Sequence, residues 1–459
     1  MTSPEDRAQA QAFIDTWKWD DRAIAGYDEI LANAEGRFQP RLVDLLKGLA
    51  PVLGKGSLLA YLVSMSLRVT EIFRVLKRTG SFYLHCDPTA SHYLKLLLDA
   101  VFCPQGGNYL NEIVWCYSIG GKSKDAFGKK HDVLLLYIKG SRGEHTFNRE
   151  GAAIPRKKNS HMKVGRETDG REYQEKTDRK SGKVYKYYLD EGKIAEDYWI
   201  DIETLNREDR ERLGYPTQKP EALLSRIIKS SSNEGDLILD AYCGCGTTVA
   251  VAQMLNRRWI GIDITYQSVS LVMRRLEKMF GPRVSEMVSL DGVPRDMDSA
   301  IALANKKDDR LRKEFEKWAA LVYTSNRAII NEKKGADGGI DAVAYFKTGK
   351  QDNAKIVFQV KSGSVKRSDI ATLRGDMERE GAVLSCLITL EEPTGPMRSE
   401  AKAAGQYNHE DMGRSYDRIE IVTIREILED GKRLDIPMSL EVLKSARRED
   451  GSEQFDLIL

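Results

Sequence analysis

Hydrophobic and polar positions along this chain follow two rhythms. Residues 1–50 carry apolar anchors at Phe13, Ile14, Trp17 and Trp19 among polar neighbours, which predicts amphipathic helix. Leu58 to Leu76, LLAYLVSMSLRVTEIFRVL, repeats apolar residues every three or four positions and predicts a helix with a broad buried stripe, ended by Thr79-Gly80. Ser81 to His85 (SFYLH) then predicts a buried strand and Ser91 to Val101 a helix. Asn111 to Cys116 (NEIVWC) and Val133 to Ile138 (VLLLYI) predict two more strands. After a polar interval comes a helix, EALLSRIIKSS, and then strand, glycine turn, helix and strand within Gly235 to Tyr266. Strands alternating with helices predict an open α/β sheet.

A second α/β run follows a polar stretch over residues 287–310 that reads as a linker. It comprises an amphipathic helix at Phe315 to Val322, the turn GADGGID ending at Asp341, and strands AVAYF, KIVFQVK and AVLSCLITL, with the tail IEIVTIREI behind. No internal repeat or low-complexity tract stands out.

Composition narrows the classes. At 459 residues the chain has room for two or three domains. Lys+Arg 71 against Asp+Glu 69 nearly cancel, so any nucleic-acid surface must come from local segregation of charge. No apolar run is long enough to span a bilayer, and MTSPEDRAQAQAF is too polar for a signal peptide, so a cytoplasmic protein with no membrane partner is expected. The six cysteines, Cys86, Cys103, Cys116, Cys243, Cys245 and Cys386, lack metal-ligand spacing and read as reduced thiols.

Local charge does change the picture between Gly151 and Ile200. There 12 Lys/Arg and 9 Asp/Glu interleave with Tyr173, Tyr185, Tyr187, Tyr188, Tyr198 and Trp199. Such a mixture can hold phosphates and stack on bases, and it can equally be a solvated insertion. The chemistry of the glycine turn is more definite. In LDAYCGCGTT, Gly244 and Gly246 allow close backbone approach to a ligand. Asp263, 17 residues beyond Gly246 at the end of the next apolar run, suits ribose hydroxyls. The pattern points to a nucleoside-cofactor site; an ordinary βαβ turn with a loop glycine is the alternative.

The order YPTQKP, helix, LDAYCGCGTT, WIGIDIT resembles the β-class amino DNA methyltransferases. GSFYLHCDPTASHYLKLLLDAVF, NEIVW and HDVLLLYIKG resemble that family's middle motifs in order. The likeness runs over about residues 1–286, with residues 140–210 as the target-recognition insert. It implies a Rossmann-like sheet, S-adenosyl-L-methionine as cofactor and double-stranded DNA as substrate, with adenine N6 favoured over cytosine N4. It further implies that Gly244 and Gly246 pass the methionine moiety, Asp240 and Tyr242 border it, Asp263 takes the ribose, and Thr217 and Lys219 close the site, the lysine near the carboxylate. Asp240-Ala241-Tyr242 stands where the family has Asp-Pro-Phe, which keeps the acid and an aromatic ring. The family's catalytic Asp-Pro-Pro-Tyr or Asp-Pro-Pro-Phe element is absent from the 459 residues. Asp87-Pro88-Thr89-Ala90 lacks the second proline and the ring and belongs to a later motif. The expectation is a chain that begins downstream of the element and does not methylate alone, with a partner chain one possible source of it.

In the second run, Asp341 and the alternation Gln359-Val360-Lys361 place an acid on one strand and an amide and a lysine on one face of the next. GADGGID…QVK resembles the Mrr-like branch of the PD-(D/E)xK nucleases over about residues 311–395. That resemblance implies a smaller α/β restriction endonuclease domain, assigned here to residues 311–459. Asp341, Gln359 and Lys361 would be catalytic, Asp341 would hold Mg2+, and Glu316 would assist. The expected whole is a restriction–modification protein. A non-catalytic DNA-binding or cofactor-sensing module, or a nuclease alone, remains the alternative. Recognition sequence and oligomeric state are not legible.

Overall fold

The computed structural model describes residues 17–118, 125–158, 161–206, 208–213, 215, 217–306, 309–331, 339–348, 353–409 and 412–436. Phe13, Ile14, Pro216 and most of GADGGID lie outside them. Two compact units account for the chain: residues 1–211, 219–238 and 251–259 form the first, and residues 212–218, 239–250 and 260–459 the second.

The first unit opens with three helices, α1 (Asp21–Ala32), α2 (Pro40–Leu53) and α3 (Ser57–Val75). Asp20 starts α1 by accepting the orphan amides of Arg22 and Ala23, each at 3.1 Å. There follow β1 (Ser81–Cys86), α4 (Ser91–Phe102), β2 (Asn108–Cys116) and β3 (His131–Ile138). The apolar stripes meet in one core where Leu42, Leu62, Leu94, Phe102 and Leu135 are fully buried. The insert supplies β4 (Ala153–Ile154), β5 (Lys163–Arg166), β6 (Glu172–Thr177), β7 (Val184–Tyr188), β8 (Lys193–Ile194) and β9 (Tyr198–Trp199), and α5 (Glu221–Ser231) follows it. Strand order in the main sheet is β1-β3-β2-β9, antiparallel except where β9 joins β2 in parallel. The buried strand expected at Ser81 to His85 is corrected to a half-buried one, with only Cys86 buried, because β1 is an edge of this sheet.

The glycine stretch is built as expected: β10 (Leu237–Asp240), α6 (Thr247–Met254) and β11 (Arg258–Gly261). Arg258 donates to the Asp236 carbonyl and Ile262 to that of Asp240, so the two strands run parallel around the helical crossover. These two strands form a separate two-stranded sheet by hydrogen bonding.

In the second unit α7 (Tyr266–Phe280) is capped by Thr265, whose hydroxyl accepts from Ser268 N. The stretch read as a linker contains a helix, α8 (Met297–Ala304), started by a reciprocal Asp296–Ser299 capping box and burying Ala300 and Ala304. Then come α9 (Asp309–Tyr323), β12 (Ile329–Ile330), β13 (Ala342–Lys347), β14 (Asn353–Lys361), α10 (Arg367–Arg379), β15 (Leu384–Thr389), α11 (Gly395–Ala403), β16 (Gln406–His409), β17 (Arg414–Asp417), β18 (Ile419–Thr423) and α12 (Ile424–Leu428). The five-stranded sheet β12-β13-β14-β15-β18 is antiparallel through β14 and parallel beyond it. Period-two alternation feeds two cores. Ala344, Phe346, Ile356 and Phe358 pack with Phe315 and Trp318 of α9, whereas Val343, Tyr345 and Val357 pack with Ile370, Leu373 and Met377 of α10. Within this unit α7 is tied to α9 and the turn after it: Tyr266 N donates to Glu314 at 3.1 Å, Arg274 to the Ala328 carbonyl at 2.9 Å, and Arg327 pairs with Glu277 at 3.3 Å.

Candidate functional site

The turn after β10 is held by its own acids. Asp240 accepts from Tyr242 N at 3.1 Å. Asp263, just past β11, accepts from Gly244 N at 2.9 Å with one oxygen and from Thr265 N at 3.1 Å with the other. A carboxylate has about four lone-pair sites, so capacity remains on Asp263 for a ligand hydroxyl. Gly246 has φ +74, and a β-carbon there would lie 2.7 Å from Val272 of α7. A β-carbon on Gly244 would lie 3.0 Å from the Tyr215 ring. Close packing therefore demands both glycines. Tyr242 is 49% exposed at the lip and Thr217 is exposed. Burial pushes the Cys243 thiol up to about 12, with Asp263 and Asp240 adding to it, and all six cysteines are free. Carboxylates and backbone donors around an open turn suit a ligand carrying hydroxyls and positive charge. Thr217, Asp240, Tyr242, Gly244, Gly246 and Asp263 belong to the second unit, and Lys219 to the first.

Lys219 is not free in the first unit. Its ammonium lies 3.3 Å from Asp132 Oδ2, which also meets His85 Nε2 at 2.8 Å, while Tyr117 donates to Oδ1 at 3.1 Å. Trp115 walls the group, its ring edge-on to His85. Burial opposes ionisation of Asp132, but the His85 hydrogen bond and the Lys219 charge outweigh it and hold the carboxyl at about 2. Burial, helped by Lys219, lowers His85 against the pull of Asp132, so the imidazole is neutral near pH 7. The cluster thus carries one negative and one positive charge.

The second unit brings Asp341 and Gln359 together. Asp341 N donates to the Phe358 carbonyl at 2.9 Å, and its Oδ2 accepts from Val360 N at 2.7 Å. Gln359 is 4% exposed and its amide donates to the Gly339 carbonyl at 2.7 Å. Lys361 is half-buried at the end of β14. Burial raises Glu316 on α9 above the ordinary carboxylate range, against nearby cations that include Lys361. Among the described residues no three His, Cys, Asp or Glu side chains are grouped to hold an ion. One carboxylate with amide and carbonyl oxygens nevertheless fits Mg2+, which keeps most of its ligands as water and phosphate.

In the insert, β5, β6 and β7 form an antiparallel sheet. Part of its charge is internally neutralised: Arg171 pairs with Asp190 and Glu191, Lys186 with Glu167, and Arg166 and Lys158 with Glu172. The tip between β6 and β7 differs. Lys176, Arg179, Lys180 and Lys183 cluster there beside exposed Val184 and Tyr185, and Asp178 is occupied by the Lys180 and Ser181 amides.

Sequence reasoning missed Tyr215, His85, Asp132 and Glu314. The first three sit in quoted segments, YPTQKP, SFYLHCD and HDVLLLY, but only strand pairing and packing give them partners. Comparison with known proteins matches residues 53–274 to a family described as DNA methylase and residues 311–427 to one described as restriction endonuclease. The DNA adenine methyltransferase YhdJ of Escherichia coli (strain K12) is 30% identical over 210 residues, covering 46% of this chain and 64% of that protein. The type II methyltransferase M.HpaI of Haemophilus parainfluenzae is 28% identical over 236 residues, covering 50% and 64%. The chain thus spans less than two thirds of the length of these relatives. The solved PvuII DNA methyltransferase (cytosine-N4-specific) aligns with TM-score 0.34 and 13% identity over 56% of this chain and 77% of that one.

Proposed function

Since the chain joins a region of the N6/N4 DNA methylase family to a region of the restriction endonuclease family, we propose that it acts on duplex DNA in restriction–modification, with residues 1–286 the methyltransferase part and residues 311–459 the nuclease part. The observation that carries the cofactor half is the turn itself: Asp263 held against Gly244 at the end of β11, with Tyr242 open at the lip. S-adenosyl-L-methionine supplies an activated methyl group when bound. The second unit's residues bind and orient it: Asp263 accepts from ribose hydroxyls, and Asp240 and Tyr242 border the methionine end. Adenine N6 is the favoured acceptor, a reading supported by the name of the relative YhdJ. The basic tip between β6 and β7 supplies phosphate contacts, since Lys176, Arg179, Lys180 and Lys183 gather there beside exposed Val184 and Tyr185, with no acid in ion-pair contact among the described residues.

The 459 residues contain no Asp-Pro-Pro-aromatic element, which in this chemistry would hold the target amine and stack on the extruded base. These residues by themselves therefore bind the cofactor poorly and do not methylate. The test is transfer of labelled methyl groups from S-adenosylmethionine to duplex DNA. None is expected from the 459 residues alone, and transfer is expected once a segment or partner chain bearing the element is supplied. Transfer by the 459 residues alone overturns this reading.

For the second part, the site built from Asp341, Gln359 and Lys361 supports hydrolysis of a phosphodiester. Mg2+ supplies Lewis acidity and an activated water when bound. Asp341 and Gln359 offer it oxygen, Lys361 offsets charge on the phosphate, and Glu316 assists from α9. Asp341→Ala and Lys361→Ala are each expected to lower magnesium-dependent cleavage by about 100-fold or more. Cleavage unchanged in both variants sinks the assignment, and no cleavage of DNA in any methylation state favours the non-catalytic module.

A further inference from the structure

One carboxylate in the second unit is left without use by this reading. Asp376 on α10 is 4% exposed. Its Oδ1 accepts from Arg379 at 2.8 Å, while its Oδ2 is fully buried and has no hydrogen-bond partner among the described residues. A buried carboxylate oxygen without a donor is costly and calls for one. Gly339 shows where the donor comes from. Its φ is +75, and a β-carbon on it would sit 2.9 Å from Gln359 Nε2 and 3.9 Å from Asp376 Oδ2. The bare glycine thus leaves a gap onto which both groups open. Gln359 already spends one amide hydrogen on the Gly339 carbonyl at 2.7 Å. Its second amide hydrogen is the complement that Asp376 lacks.

We infer that Asp376 is a positioning residue for Gln359: its Oδ2 takes the second amide hydrogen and fixes the carboxamide with nitrogen inward and oxygen outward. An amide can otherwise flip, and only one orientation presents oxygen to a cation. The same arrangement explains why glutamine stands at position 359. A glutamate there would meet two acceptors, the Gly339 carbonyl and the Asp376 carboxylate, with no hydrogen for either and two buried like charges side by side. Asp376 therefore selects the amide over the acid. The purpose given to the clamp rests on the nuclease reading; the unbonded Oδ2 and the open space at Gly339 do not.

The test is a four-membered cycle on the full chain: wild type, Gln359→Glu, Asp376→Asn and the double variant, read by thermal unfolding and by calorimetric binding of Mn2+ as a probe ion. Gln359→Glu is expected to lower the melting temperature or prevent folding. Asp376→Asn is expected to lower it in the wild-type background and to raise it in the Gln359→Glu background, where the introduced amide can donate to the new carboxylate. Mn2+ affinity is expected to fall about tenfold in Asp376→Asn, the scale of coupling between side chains in contact, and to recover in the double variant. Equal, additive temperature shifts in both backgrounds overturn the clamp, as does failure of Asp376→Asn to restore a Gln359→Glu chain that does not fold. Coupled shifts without Mn2+ binding or cleavage by the wild type retain the clamp and sink the nuclease reading instead.

Discussion

Asp132 and Asp376 are two shielded carboxylates in two different units, and the chain treats them in opposite ways. Asp132 sits among three donors from separate elements, His85 on β1, Tyr117 after β2 and Lys219 beyond the insert. Among the described residues Asp376 meets one arginine, from its own helix, and leaves an oxygen bare. A network whose members are all satisfied stiffens a site and can set the angle of a functional cation. A half-satisfied one marks where something further must arrive. The first unit thus presents Lys219 on a finished mount, while the second holds an acceptor in reserve beneath Gln359.

The largest expected effect falls on the finished network. Asp132→Ala strips three donors of their acceptor and should destabilise the first unit by about 2–3 kcal/mol, at the low end for a broken buried pair because Lys219 is 35% exposed. Denaturant unfolding of the full chain measures it, and a loss under about 0.5 kcal/mol would show the network to be ornamental. Next is Gly246→Ala, which meets Val272 and an unfavourable φ together. A cost of about 1–3 kcal/mol is expected, with α7 displaced rather than the ligand alone excluded. If stability is kept and only cofactor binding falls, the glycine serves ligand approach and not packing.

A smaller effect separates the units by pH. His85 is lowered in the fold, so below its ordinary value of about 6.5 the unfolded chain binds more protons than the native one. Stability should therefore fall as pH drops through that region, and fall again as acid approaches the Asp132 value of about 2. In His85→Gln the first decline should shrink to the part contributed by His145, which burial and Arg142 also lower; an unchanged decline would place the titration elsewhere. The smallest effect on folding, within about 0.5 kcal/mol, is expected from Arg179→Ala and Lys180→Ala at the insert tip. Their signature is in DNA binding, where each should reduce the salt dependence by about one unit of slope. An unchanged slope moves the phosphate contacts off the tip.

Much of the fold was legible because its signals are local. The helix over Ser57–Val75 and the strand–turn–helix–strand around Gly244 follow from apolar periodicity and from glycine where a β-carbon cannot fit. The helix at Met297–Ala304 was passed over as polar linker because only two of its residues are buried and its capping box is Asp-Met-Asp-Ser, without the usual glutamate. The half-buried state of β1 was also out of reach, since apolar content does not reveal which strand ends a sheet.

The sequence by itself determined the chemistry available: two α/β runs, a glycine turn between acids, an Asp…Gln-x-Lys pair, and a basic aromatic insert. Those depend on residue type and short spacing, which the chain carries wherever it folds. Tertiary structure alone decided which of these groups meet. Asp132 reaches Lys219 across 87 residues, and Tyr215 fills the space that Gly244 leaves. Some of the insert's cations are cancelled by neighbouring acids, and Asp376 comes to lie by Gly339 and Gln359. Such meetings depend on strand order and helix packing, where free energy is gained by burying distant residues together, and no local pattern encodes the partner.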